Sequence, residues 1–216
     1  NVSVWVSFVV RPLSFYLTYA AYRLGVSANQ ATLVGLLVGI LSVASVVVGI
    51  PVLGALLLNF FLVLDCVDGN LARLGHPSKV GEFYDALVGD FVNYSFPVAF
   101  LMNAVASGEL SFGQNLNQNS LLAIIGTVVF MQLVTALASE RFKTIFGNNM
   151  HSSATKNIKR VSLFEGFIRN LYGAAFLYPA CLVVALFGGY DYLLLYLILS
   201  SVVFYAASIF RPILSK

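Results

Sequence analysis

Asp65 and Asp68 stand three residues apart in an apolar run, and Asp85 and Asp90 follow beyond a short polar break. On a helix, residues three apart share one face a turn apart, so the first pair presents its carboxylates together. Gly69 leaves room for a ligand to approach the backbone, and Ala72 and Arg73 come one to two turns on. Gly81 and Asp85 open the next run, past a loop that holds Pro77. Carboxylates that converge without His or Cys form an all-oxygen site, which suits hard cations such as Mg²⁺, Mn²⁺ or Ca²⁺. With an arginine alongside, such a site accepts phosphate groups, because Mg²⁺ is commonly shared between carboxylates and substrate phosphates. Two metal ions there could stabilise both the attacking and the leaving oxygen of a phosphoryl displacement. Two other readings stay open. Arg73 could pair with Asp65 or Asp68 simply to lock two helices, although the carboxylates outnumber the nearby cations. A cation pathway is the other, although the acids gather at one membrane face instead of lining a path across it.

The elements that must position these residues follow from composition. Of 216 residues, 59% are hydrophobic and 10% charged, and the mean hydropathy is +0.89. A soluble domain carries about 25% charged residues, and a bilayer is crossed by roughly 20 residues of apolar helix. The membrane is therefore the expected solvent. Punctuation between apolar runs gives six spans: about Gln30 to Ile50, opening after the candidate caps Ser27 and Asn29; Val52 to Arg73; Val80 to Ala106; Leu121 to Phe142; Phe167 to Phe187; and Tyr192 to Phe210. "SGELSFGQNLNQNS" and "GNNMHSSATKNIKR" read as polar connections, and "GGYD" as a tight turn. Ahead of them, about residues 6–24 mix aromatics with Arg11 and Arg23, the pattern of a helix lying in the membrane surface. The expected fold is all-α: an integral membrane six-transmembrane-helix bundle with an N-terminal interfacial amphipathic helix, in a single domain over 1–216.

With six spans and a cytoplasmic N-terminus, all twelve Lys and Arg residues fall on the inner side and none in the outer loops. The positive-inside rule then places both termini and the acidic segment at the cytoplasmic face. The first apolar run lacks a basic leader and a small-residue cleavage site, so no cleavable signal peptide is expected. Cys66 and Cys181 lie far apart in apolar stretches and read as small buried side chains. Gly35 and Gly39 form a G-x-x-x-G suited to close helix packing.

The acidic stretch resembles the signature of the CDP-alcohol phosphotransferases, D-x-x-D-G-x-x-A-R followed at seven or eight residues by G-x-x-x-D-x-x-x-D. The chain supplies Asp65, Asp68, Gly69, Ala72 and Arg73, a gap of seven, then Gly81 and Asp85. Asn29 and Thr32 in "GVSANQATLVGLLVGI" resemble the family's opening of its first span. The six-span architecture behind an interfacial helix is similar as well, with the likeness weakest after about residue 145. The resemblance implies a membrane transferase of phospholipid or lipid-linked headgroup synthesis, in which an alcohol displaces CMP from a CDP-linked donor to form a phosphodiester. It implies that Asp65, Asp68, Asp85 and Asp90 hold a divalent metal, Mg²⁺ or Mn²⁺ and as a pair of ions. Gly69, Ala72, Arg73 and Thr32 would face the nucleotide diphosphate. The family's final aspartate is its general base.

At that last position the spacing departs. The family's register falls on Gly89, and the acid is Asp90. On a regular α-helix position 89 lies about 40° from Asp85 and position 90 about 140°. Three readings remain: a π-bulge around Gly89 returns Asp90 to the metal face, the proton goes to metal-bound water or to another acid such as Glu82, or the protein binds CDP-lipids or nucleotides without catalysis. For the acceptor, Arg141 and Lys143 at the end of the fourth span are the candidates, and His151 reads as a solvated loop residue. The lipid is either the donor, as CDP-diacylglycerol, or the acceptor of a soluble CDP-alcohol. "GEFYDA" is similar to the choline/ethanolamine branch, whereas the surplus of basic residues suits a phosphorylated acceptor and the first branch. Expected partners are these two substrates, the bilayer and a second copy of the chain, with no nucleic acid. The expected location is the plasma membrane of a prokaryote.

Overall fold

The computed structural model describes residues 4–75, 79–110, 117–150 and 174–214, with side chains described for 4–75, 79–110, 117–138 and 176–206. Every regular element among them is helical. A π-helical turn, Val6–Val10, runs without a break into α1, Arg11–Arg23. Six further helices follow: α2 (Ala28–Val47), α3 (Pro51–Leu74), α4 (Lys79–Ser107), α5 (Gln118–Met150), α6 (Ala174–Phe187) and α7 (Tyr190–Leu214).

The distribution of side chains is that of a protein solvated by lipid. Along the π-helical turn and α1 the packed positions are Val10, Ser14 and Thr18, four residues apart, and this segment docks on α3. Its outward positions are Phe8, Phe15, Tyr16, Tyr19 and Tyr22. A helix that hides its hydroxyls and shows its aromatic rings fits a membrane interface, where such rings settle. The bundle repeats the pattern. Thr32, Ser42, Asn59, Asp68 and Gln132 are buried, while Leu33, Val34, Leu37, Ile40 and Leu41 of α2 are exposed.

Helix α2 starts on a capping box: Gln30 N–H donates to Ser27 Oγ at 3.3 Å, and Ser27 N–H donates to Gln30 Oε1 at 2.9 Å. This satisfies two amide donors that a helix start otherwise leaves open. Of the two candidate caps, Ser27 takes the role and Asn29 sits inside the first turn. At the far end Gly49, with φ +86°, reverses the chain, and Pro51 at the start of α3 fixes the return. The α2–α3 hairpin is then clamped where Ser42 Oγ donates to Gly54 O at 2.8 Å. A Cβ at Gly54 would lie 2.8 Å from Ser42 O and collide with Val46 Cγ2. Gly54→Ala is therefore expected to cost about 1–3 kcal/mol, the usual range for forced overpacking. A lower thermal midpoint in detergent would register that cost, and an unchanged midpoint would refute the clamp.

Gly35 faces Phe61 and Leu64 of α3, and a Cβ on Gly39 would collide with Val92 of α4. The G-x-x-x-G thus serves close packing, and it lets α2 lie against α3 and α4 together. Helix α6 packs on α3, and α7 on α5. Asn59 Nδ2 donates to Tyr178 O at 3.0 Å, and Tyr178 Oη donates to Asn93 Oδ1 at 2.6 Å, so a buried polar chain ties α3, α6 and α4. Gly188 and Gly189 both have positive φ and make the anticipated turn between α6 and α7. Both cysteines are free, Cys181 buried and Cys66 half-buried.

Three helices are long and apolar enough to cross a membrane by length and composition: α2, α3, and Gln118–Ala138 of α5. Among the described residues the six expected spans are thus met in part. Helix α4 is long enough but carries Asp90, Asn93 and Asn103 along its length. Within the residues whose side chains are described, Phe176–Phe187 of α6 and Tyr190–Ala206 of α7 are apolar as well. The fourth expected span, Leu121 to Phe142, falls within α5, whose apolar part is Gln118–Ala138.

Candidate active site

The reversal at Gly49 brings the start of α2 beside the end of α3, and the start of α4 closes the same end of the bundle. Their terminal turns line a cavity of about 530 Å³, with Ala28, Asn29 and Thr32 from α2, Asp68, Gly69, Ala72 and Arg73 from α3, and Lys79, Gly81, Glu82 and Asp85 from α4. The starts of α2 and α4 add the partial positive charge of two helix N-termini, which favours an anion between them. A second cavity of about 590 Å³ lies further along α4, among Tyr94, Ser95, Val98 and Met102. It has no charged lining residue and offers no chemistry.

Asp68 sits at the inner wall, 5% exposed. Thr32 Oγ1 donates to its Oδ2 at 2.8 Å, while its Oδ1 is buried with no hydrogen-bond partner. Buried carboxylate oxygens rarely stay unpartnered. The carboxylates of Asp65, Asp68 and Asp85 are close enough to repel one another, and Asp65 is half-buried and not among the residues that line the cavity. An all-oxygen set with surplus negative charge and one orphaned oxygen fits a hard divalent cation. Among the described residues, however, no three His, Cys, Asp or Glu side chains close on a single metal position. The expected four-carboxylate cluster is therefore not assembled as one coordination sphere.

Arg73 is exposed at the cavity mouth. Its Nη1 donates to Asn70 Oδ1 at 2.9 Å, so its partner is an amide and not the carboxylate of a helix-locking ion pair. The guanidinium lies over Gly69, where a Cβ would come within 3.9 Å of both Nη atoms. Glycine there keeps the floor beneath the arginine open. Thr32 lines the cavity, and its hydroxyl faces two acceptors, Asp68 Oδ2 at 2.8 Å and Ala28 O at 3.1 Å.

Asp90 lies elsewhere. Helix α4 is α-helical from Lys79 to Ser107, without a π-turn at Gly89. Asp90 is exposed and does not line the cavity. The regular helix leaves it about 140° around from Asp85, which runs against its expected place as general base and fourth metal ligand. At Gly89 itself a Cβ would meet nothing within 4 Å. Arg141 and Lys143 fall on the far part of α5, and their side chains lie outside the described residues, as does His151. The structure adds two residues to the sequence-derived set. Lys79 lines the cavity beside Asp85 and the already considered Glu82, and Asn70 holds Arg73. Lys79, two residues ahead of the G-x-x-x-D stretch, read only as one of many topology-setting cations.

A sequence model of the family described as CDP-alcohol phosphatidyltransferase matches residues 25–210. Among curated proteins, the bifunctional IPC transferase and DIPP synthase of Thermococcus kodakarensis is 32% identical over 122 residues, 56% of this chain and 26% of that protein. The protein of the same description from Archaeoglobus fulgidus is 31% identical over 128 residues, 58% of this chain and 23% of its own length. The chain thus matches about a quarter of each relative. No solved structure matches it.

Proposed function

As the chain belongs to the CDP-alcohol phosphatidyltransferase family, we propose that it catalyses displacement of CMP from a CDP-linked donor by an alcohol in the cavity between α2, α3 and α4. The observation that carries this reading is the lining of that cavity. It combines the acids Asp68 and Asp85 with the cations Arg73 and Lys79 and the small residues Gly69 and Ala72. Two cations and two helix N-termini attract a diphosphate. The carboxylates would repel it unless a divalent cation stood between, and Asp65, Asp68 and Asp85 are the residues that would hold one. Bound there, Mg²⁺ or Mn²⁺ would neutralise charge that develops on the phosphate oxygens.

In the reaction the acceptor's hydroxyl oxygen forms a bond to the donor's distal phosphorus, and the bond from that phosphorus to the bridging oxygen breaks. CMP leaves with the bridging oxygen, and the product is a phosphodiester. Arg73 and Lys79 bind the diphosphate, while Gly69 and Ala72 admit the nucleotide against α3. Glu82, on the cavity wall, takes the acceptor's proton and passes it to water at the exposed mouth. One substrate is a lipid, which α1 and the apolar outer surface of the bundle hold at the same level as the site. Six spans, with both termini and the cavity at the cytoplasmic face of a prokaryotic plasma membrane, complete the reading. It is supported by the one-sided placement of basic residues.

CMP release by purified protein tests this, using CDP-diacylglycerol and soluble CDP-alcohols as donors and mass spectrometry of the lipid product. Release is expected with one donor class in Mg²⁺ or Mn²⁺. Chelation with EDTA is expected to abolish it, and re-addition of the metal to restore it. Nucleotide binding without release from any donor would instead mark a binding protein.

A further inference from the structure

Arg73 is held by a chain of side chains that begins on another helix. Its Nη1 donates to Asn70 Oδ1 at 2.9 Å, and Asn70 Nδ2 donates to Thr18 Oγ1 at 3.2 Å. Thr18 belongs to α1, 52 residues earlier in sequence, and is 6% exposed on the face that docks against α3. The polarity of the chain is fixed at the arginine end. A guanidinium only donates, so it must meet the amide oxygen, and the NH₂ group must then find an acceptor. The Thr18 hydroxyl is that acceptor. Without it the Asn70 NH₂ loses its acceptor, and the amide is held at its oxygen alone, by the same Arg73 it is meant to fix. The aromatic outer face of α1 is exposed while this inner face grips α3, so the grip on Arg73 is built from the helix that sits against the lipid.

We propose that Asn70 is a positioning residue that holds the Arg73 guanidinium over Gly69, and that Thr18 on the surface helix sets the orientation in which it does so. The inference rests on the reading of Arg73 as a diphosphate ligand. Its consequence is that correct seating of α1 is required for full affinity toward the nucleotide diphosphate, although α1 places no residue in the cavity wall.

The test measures binding of CDP, with Mg²⁺, and of inorganic pyrophosphate to the full chain in lipid nanodiscs. Thr18→Val keeps the shape and removes the acceptor, and it is expected to weaken both probes about fivefold, the scale of one hydrogen bond. Thr18→Ser restores the hydroxyl and is expected to bring affinity back to within about twofold of wild type. In an Arg73→Ala background, Thr18→Val is expected to cause no further loss, because residues coupled through one network are not additive. An equal loss with and without Arg73 would overturn the proposal, as would Thr18→Val binding like wild type. If the wild-type protein bound neither probe, the functional reading would be what had failed. The positioning claim is then decided by ¹⁵N NMR of the arginine side chains. Resolved Arg73 Nη resonances in wild type that average in Thr18→Val support it, and identical spectra refute it.

Discussion

Asp68→Asn is expected to lower CMP release on the order of 10³-fold, the equivalent of about 4 kcal/mol of lost transition-state stabilisation, with little change in folding. The substitution is nearly isosteric, and the amide oxygen can still accept the hydroxyl proton that Thr32 now gives to Oδ2 at 2.8 Å. The α2–α3 contact therefore survives. What disappears is the charge on a 95%-buried wall of the cavity, together with the acceptor at Oδ1 that nothing in the chain satisfies. A carboxylate whose task was structural would lose little on becoming an amide, since buried charge is costly to maintain. One that holds a cation would lose metal affinity directly. Turnover by the variant at Mg²⁺ concentrations raised a hundredfold, alongside its thermal midpoint, separates these cases. Activity within tenfold of wild type at ordinary Mg²⁺ would remove Asp68 from the metal site.

Glu82→Gln is expected to reduce turnover by about 10²–10³-fold, within the usual contribution of a general base, while CDP binding stays near wild type. Asp90→Asn is expected to stay within about twofold, as substitutions away from working sites do. Glu82 lies in the first turn of α4 and lines the cavity with Asp85, three residues on. Asp90 is exposed and faces away from that lining. The acceptor's proton needs a base within hydrogen-bond reach or one water away, and of the two acids only Glu82 shares the cavity. The opposite result, a hundredfold loss in Asp90→Asn with Glu82→Gln intact, would mean that α4 widens by one residue around Gly89 when substrate binds. The helix has room for this, since a Cβ at Gly89 meets no neighbour within 4 Å.

Much of the site was legible before any coordinates. Asp65, Asp68, Gly69, Ala72, Arg73, Gly81 and Asp85 sit at fixed intervals, and helical periodicity alone makes the first five share one end of one helix. Ser27 was legible as a candidate cap for α2, while its reciprocal partner Gln30 and the reversal at Gly49 appear only in the structure. The cap is a local effect of residue type at a helix start. The span count was less secure. Apolar composition does not separate a helix that crosses lipid from one sheltered among other helices, and α4, with Asp90, Asn93 and Asn103, mixes the two signals.

The sequence by itself determined an apolar all-helical chain in which Asp65, Asp68, Arg73 and Asp85 fall near neighbouring helix ends, because composition, period and capping are properties of neighbouring residues. Only the tertiary structure decided which way each polar group is spent. Thr32 gives its hydroxyl to Asp68 across 36 positions of sequence, and Thr18 orients Asn70 across 52. Lys79 and Glu82 join the cavity, and Asp90 turns away from it. These outcomes depend on how helices rotate and cross when they pack, which is fixed by contacts such as Gly39 on Val92 and Asn59 on Tyr178. Such contacts join residues far apart in the chain, so no stretch of the sequence read alone contains them.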